Sequence, residues 1–267
     1  MHPVISSFTN KIYHADCFEF MKSLPEEFNE SVDLILIDPP YGITRNNWDQ
    51  DLIDYNELFD LYKKLINKRG SIVIFSYFSV DKIMFSELNK ENKNMFKYQW
   101  IWEKNIPTGF LNANSSPLRK HELILVFSKS SAAFNRDKTK LMKYNPQGIV
   151  KVDGISKRTK STNYNAKYMA EVSPRNYTNY PHDILRFEHD RLDRGLHPTQ
   201  KPVKLLEYLI KTYSDEGDLI LDTFAGSGST GIACINTNRN YILIEKEEKY
   251  YNIATKRLDK FYSFGKL

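Results

Sequence analysis

Only two cysteines, Cys17 and Cys234, occur in the 267 residues. So few exclude a disulfide framework and give no support to a cysteine-built zinc site. No apolar run approaches the roughly 18 residues that a membrane-crossing helix needs. The first residues, MHPVISSFTNKIYHAD, contain no apolar stretch of signal-peptide length. The expectation is a cytoplasmic protein with no membrane association and no metal. The chain also lacks a strong overall charge: the net value is +5, with 41% hydrophobic and 27% charged residues. Such values are ordinary for a globular protein and select no partner. The length suits one large domain, or one domain with an elaborated insertion.

What the chain does have is unevenly placed. Residues 129–175 hold 11 Lys/Arg against Asp137, Asp153 and Glu171, a local balance of +8, which leaves the remainder at −3. A run of this kind is a solvated surface segment or a contact for a polyanion. Apolar residues thin out over 130–194, where YNPQG, KRTKSTNYNAKY and SPRNYTNYP are rich in Asn, Tyr, Lys, Ser and Thr. This composition predicts an insertion with little core of its own.

Outside it, buried-strand runs at 32–37, 71–75, 219–221 and 241–244 alternate with helical patterns. The spacing of Leu58, Leu61, Tyr62, Leu65 and Ile66 predicts one helix over 54–67. Leu205, Leu206, Leu209 and Ile210 predict another after Pro202. Two further strands are expected at 98–102 and 122–127, with PTGFLNANSSPLRK as an exposed loop between them. The alternation argues for a doubly wound α/β sheet.

Two strand ends carry chemistry. LILIDPPYG, residues 34–42, is an apolar run that stops on a carboxylate, two prolines and a tyrosine; proline cannot donate to a strand ladder. LILDTFAGSGSTGIACI, residues 219–235, is a strand ending at Asp222, a small-residue loop and a helix starting near Ser229. YILIE then ends on Glu245. Strand, glycine loop, helix, strand and acid make the layout of a nucleotide-binding half-unit. Gly226 and Gly228 let the backbone pass close to a ligand, and Glu245 is placed for ribose hydroxyls. Asp222 would repel a pyrophosphate and attract a cationic ligand.

DPPYG at 38–42, HPTQKP at 197–202 and DTFAGSGST at 222–230 together resemble the DNA amino-methyltransferases. IWEKN, GFLNA and LRKHE extend the likeness over nearly the whole chain. The motif order is similar to the family's beta group, a circular permutation of the class I methyltransferase fold. The resemblance implies a mostly parallel, doubly wound sheet in three stretches: a catalytic part over 1–129, a target-recognition insertion over 130–195 and a cofactor-binding part over 196–267. It implies methyl transfer from S-adenosyl-L-methionine, leaving S-adenosyl-L-homocysteine, to the N6 amine of an adenine flipped out of double-stranded DNA. Asp38, Pro39, Pro40 and Tyr41 match the catalytic motif, with Tyr41 stacking on the base. Asp38, Asp222, Phe224, Ala225, Gly226, Gly228, Thr230 and Glu245 match the cofactor side. Asp16, with Cys17 beside it, matches the acidic position that approaches the cofactor's adenine, although Ala15 stands where the family usually has glycine. His197, Thr199 and Lys201 match a segment that meets the methionine end. Lys157, Arg158, Lys160 and Arg119 are the expected DNA contacts. The resemblance also admits a homodimer and a cognate restriction endonuclease as partners.

A cytosine-N4 methyltransferase is the nearest rival, but that group more often has serine at the position of Asp38. An RNA or protein amine fits the basic insertion less well. A catalytically silent DNA-binding relative would not need Asp38, Tyr41, Gly226 and Glu245 all intact. A nicotinamide oxidoreductase lacks its full glycine fingerprint.

Overall fold

The structure is a computed structural model that describes residues 1–40, 53–76, 95–133, 137–152, 176–188 and 200–264. Two compact units are present, residues 146–182 and the rest of the chain.

The larger unit contains one sheet. Its strands are β1 (Lys11–His14), β2 (Val32–Ile37), β3 (Ile66–Ser76), β4 (Phe96–Thr108), β5 (Arg119–Phe127), β8 (Ile184–Arg186), β9 (Leu219–Asp222) and β10 (Asn240–Glu245). In space they run β1-β10-β9-β2-β3-β5-β4-β8. The first five are mutually parallel; β5 is antiparallel to β3 and β4, and β8 is parallel to β4. The helices are α1 (Pro3–Phe8), α2 (Cys17–Ser23), α3 (Tyr55–Leu65), α4 (Val203–Tyr213), α5 (Ser229–Asn236) and α6 (Glu248–Phe264).

Strand alternation divides the core into two layers. Ile35, Ile37, Ile72 and Ile74 point to one face, where Leu58, Phe59, Tyr62 and Leu65 of α3 cover them. Leu34, Leu36, Val73 and Phe75 point to the other, under Leu205, Leu209 and Tyr213 of α4 and Ile232 of α5. Burial on both faces explains the apolar runs LILI of β2 and LIL of β9, as parallel strands require. Gly231 on α5 is part of this packing. A Cβ there would lie 2.8 Å from side chains of both Leu243 and Leu258, so glycine lets α5 settle onto β10 and α6.

The expected strands and helices are present, with altered bounds. β4 and β5 each extend two residues into the segment expected as an exposed loop; residues 109–118 stay outside the strands, exposed, with a 3-10 turn over Phe110–Asn112. Cross-strand ion pairs, Lys104–Glu122 at 3.1 Å and Lys120–Glu103 at 3.0 Å, sustain this polar part of the ladder. β1 was not apparent in the sequence: KIYH gains its strand character by pairing with β10.

The basic surplus is partly neutralised. Lys129 pairs with Glu30, Lys140 with Asp137, and Lys143 with Asp215 and Asp218. In the smaller unit, β6 (Val150–Lys151) and β7 (Tyr177–Thr178) pair antiparallel, and Asn179 Nδ2 donates to Gly148 O at 2.6 Å. Among the described residues no helix is long and apolar enough to cross a membrane.

Candidate active site

Four adjacent parallel strands, β1, β10, β9 and β2, deliver a carboxylate to one edge of the sheet. Glu245 and Asp222 are the last residues of β10 and β9, Asp38 follows β2 directly, and Asp16 lies two residues after β1. The DPP turn and the glycine loop are therefore neighbours, since β2 and β9 pair through Leu34↔Ile220 and Ile35↔Leu221. Ligands of open α/β sheets bind at this carboxyl edge.

The glycine loop is held from three sides. Ala225 N donates to Ile244 O at 3.0 Å, and Gly226 N donates to Glu245 Oε2 at 2.7 Å. Ser227 Oγ donates to Gln200 Oε1 at 2.8 Å, which ties the HPTQKP segment to the loop. Below it, Tyr62 of α3 hydrogen-bonds the Thr223 hydroxyl. Gly228 has φ +79°, and a Cβ there would lie 3.0 Å from Ala254 Cβ; both facts favour glycine. Ala225 and Thr230 are buried and Phe224 is half-buried.

The carboxylates differ in their partners. Asp222 is buried and accepts from Phe224 N at 3.0 Å. Burial pushes its pKa up to about 7; hydrogen bonds from Thr230 and Phe224 oppose the shift, and the negative fields of Asp38 and Glu245 add to it. Burial also raises Glu245, whose Oε1 accepts from Glu247 N at 2.8 Å. Asp16 caps α2, accepting from Phe18 N at 2.9 Å, and lies 3.6 Å from Lys246 Nζ. Cys17 beside it is buried, with its thiol pushed up to about 12, mainly by that burial and then by Asp16. A thiol held so firmly protonated is a packing group rather than a nucleophile.

Asp38 is bound differently. Lys201 Nζ donates to its Oδ2 at 2.6 Å, lies 3.6 Å from Glu122 Oε2 and sits 5.0 Å from the centre of the Phe75 ring. Lys104 Nζ in turn donates to Glu122 Oε1 at 3.1 Å. Lys201, expected near the methionine end of a cofactor, thus belongs to a buried chain of alternating charge. Sequence reasoning missed Glu122 and Lys104. The available signal was a charged residue at the border of each apolar run: Glu122 directly before LILVF in β5 and Lys104 two residues after WIW in β4. Pro39 is buried, and Tyr55 Oη lies 3.5 Å from Pro40 O. Arg119 is exposed at the start of β5. Tyr41, Lys157, Arg158, Lys160, His197 and Thr199 lie outside the described residues. Among the described residues no cluster of His, Cys, Asp and Glu could hold a metal ion.

Comparison with known proteins agrees with this geometry. A family model described as DNA methylase, of the N6/N4 type, matches residues 32–256. The DNA adenine methyltransferase YhdJ of Escherichia coli K12 is 30% identical over 261 residues, covering 93% of this chain and 82% of its own. The type II methyltransferase M1.MboII of Moraxella bovis is 30% identical over 258 residues, covering 92% and 95%. Among solved structures, the M1.HpyAVI–SAM complex superposes with a TM-score of 0.61 at 28% identity, covering 92% of this chain and 98% of that one. The PvuII cytosine-N4-specific methyltransferase shares the fold, with a TM-score of 0.62 at 18% identity, covering 95% and 91%.

Proposed function

The chain belongs to the N6/N4 DNA methylase family, and from that premise we propose that it methylates the N6 amine of adenine in double-stranded DNA. S-adenosyl-L-methionine supplies an electrophilic methyl group on a sulfonium. The residues at the carboxyl edge fit such a molecule. Asp222 and Glu245 are buried carboxyls beside a loop with two left-handed glycines, and their pKa values are raised. Carboxyls in that condition gain from a cation brought alongside. Glu245 and Asp16 lie where the nucleoside end would rest, and His197 and Thr199 of the HPTQKP segment are the proposed contacts for the methionine end.

The target amine needs activation, because its lone pair is delocalised into the purine ring. The Asp38 carboxylate and the Pro39 carbonyl each accept one N–H, which favours a pyramidal nitrogen and stabilises the positive charge that grows during attack. Holding the amine in line with the donor supplies the proximity contribution. Tyr41 stacks on the extruded base, and stacking worth roughly 1–3 kcal/mol offsets much of the cost of leaving the duplex. Residues 130–195 are the proposed target-recognition insertion, with Lys157, Arg158 and Lys160 on phosphates and Arg119 near the DNA. The motif order is that of the permuted beta group. A cytoplasmic setting follows from the DNA substrate.

The observation that carries this reading is the pairing of β2 with β9, which sets Asp38 beside the glycine loop. The test is incubation of the protein with labelled S-adenosyl-L-methionine and unmethylated genomic DNA, followed by nucleoside mass spectrometry. N6-methyladenine is expected. N4-methylcytosine would move the target to the rival base, and unlabelled DNA would end the enzyme reading.

A further inference from the structure

The chemistry above uses only the first member of a four-charge chain. Asp38, Lys201, Glu122 and Lys104 alternate in sign, with successive contacts of 2.6, 3.6 and 3.1 Å. Both lysines are buried. The two oxygens of Glu122 have unequal partners: Oε1 accepts from Lys104 at 3.1 Å, while the buried Oε2 has the Lys201 ammonium standing off at 3.6 Å, a longer and weaker contact. A buried carboxylate oxygen whose ammonium partner lies beyond hydrogen-bond length is under-satisfied, and its retention calls for a reason.

The arrangement also creates a difficulty for the reaction. Asp38 must present negative charge to a nitrogen that becomes cationic, yet an ammonium at 2.6 Å neutralises that charge and repels the incipient one. The loosely paired Oε2 of Glu122 lies within reach of the same ammonium. Moving Lys201 Nζ from 3.6 Å to the roughly 2.8 Å of an ammonium–carboxylate bond takes a displacement of about 0.8 Å.

We propose that Glu122 is a positioning residue for methyl transfer: its Oε2 receives the Lys201 ammonium as the target amine enters, which releases the Asp38 carboxylate to that amine. No covalent bond changes in this step, and Lys201 keeps its proton while exchanging one carboxylate for another. Lys104 fixes the receiving group through Oε1, and the Phe75 ring lies under the moving ammonium. Burial alone would favour neutral lysine, but Asp38 and Glu122 outweigh it and keep Lys201 charged throughout. This inference rests on the amine-methylation reading.

The test measures kcat with the full chain, saturating labelled S-adenosyl-L-methionine and unmethylated genomic DNA. Glu122→Gln is expected to lower kcat at least tenfold while leaving KM for DNA and Kd for the cofactor within threefold. Adding Lys201→Met to Glu122→Gln is expected to recover at least threefold of that loss, because no ammonium then holds Asp38. A purely structural role for Glu122 predicts no such recovery. Glu122→Gln combined with Lys104→Met keeps the buried charges balanced, guards against misfolding and should show the same kcat loss. A kcat within twofold of wild type in either Glu122 variant, or no recovery on removing Lys201, would overturn the hand-over. Wild-type protein that leaves DNA unlabelled would instead remove the methyltransferase reading itself.

Discussion

The two halves of the carboxyl edge treat their acids in opposite ways. On the glycine-loop side, Asp222 and Glu245 are buried and held by backbone N–H groups and the Thr230 hydroxyl, with burial driving both upward. On the DPP side, Asp38 is bound to a buried lysine that is shared with a second acid. Uncompensated acids suit a ligand that arrives with its own positive charge. A compensated acid suits a neutral amine that acquires charge only during the reaction. On the proposed reading, the contrast separates a cation-binding site from a charge-developing one within a single row of strand ends.

The most damaging way to break the contrast is on the DPP side. Asp38→Asn should reduce methyl transfer by about a hundredfold or more, the scale seen when one electrostatic contact is removed from a reacting centre. Cofactor affinity should change little, as calorimetry would show. Asparagine is the better choice because its amide oxygen can still accept from Lys201, whereas alanine would leave that buried ammonium without an acceptor at this position.

On the glycine-loop side the loss should be one of binding. Glu245→Gln keeps the shape but removes a charge that accepts from Gly226 and Glu247. Cofactor Kd should weaken by about tenfold, the worth of one charged hydrogen bond, with a smaller change in kcat at saturation. Equal effects on kcat and Kd would blur the division between the two sides.

The pH response sharpens the comparison further. Burial raises Asp222 from its ordinary 3.8 to about 7 in the folded chain, so the fold holds this proton more tightly than the unfolded chain does. The resulting stability is fully present below about pH 4 and is lost as the pH rises through about 7. Asp222→Asn should remove that slope: thermal melting followed from about pH 4 to about pH 8 should fall less steeply in the variant than in wild type. A parallel pair of curves would mean that Asp222 ionises normally. The smallest effect is expected from the basic segment. Replacing Lys157, Arg158 and Lys160 by alanine should reduce the slope of log K for DNA against log salt by about one for each phosphate left without its cation. An unchanged slope would take the insertion off the DNA backbone.

Much of this was legible in the chain. β2, β9 and β10 are buried on both faces, so each is an apolar run that ends abruptly on its acid. The glycine loop announced itself by small residues between a strand and a helix. What was hidden depends on contacts distant in sequence. β1 carries only Ile12 and Tyr13 as apolar residues and becomes a strand because β10 pairs with it. Asp16 is marked only by the family resemblance; composition and spacing show a surface acid until that pairing brings it to the edge. The tie between Lys201 and Asp38 spans 163 residues, and the sequence spacing of Glu122 and Lys104 gives no sign that their charges meet it. Periodicity reports which face a side chain occupies; it does not report which buried charges find each other.

The last helix adds one more consequence. Ala254 of α6 packs against Gly228, and Arg257 Nη1 donates to Ser227 O at 3.2 Å and to Ser229 Oγ at 2.9 Å. The helix is thus a brace bolted to the turn proposed to cradle the methyl donor. Filling that turn should slow amide exchange in α6, and a reporter dye on its outer surface would serve as an occupancy gauge without touching the pocket.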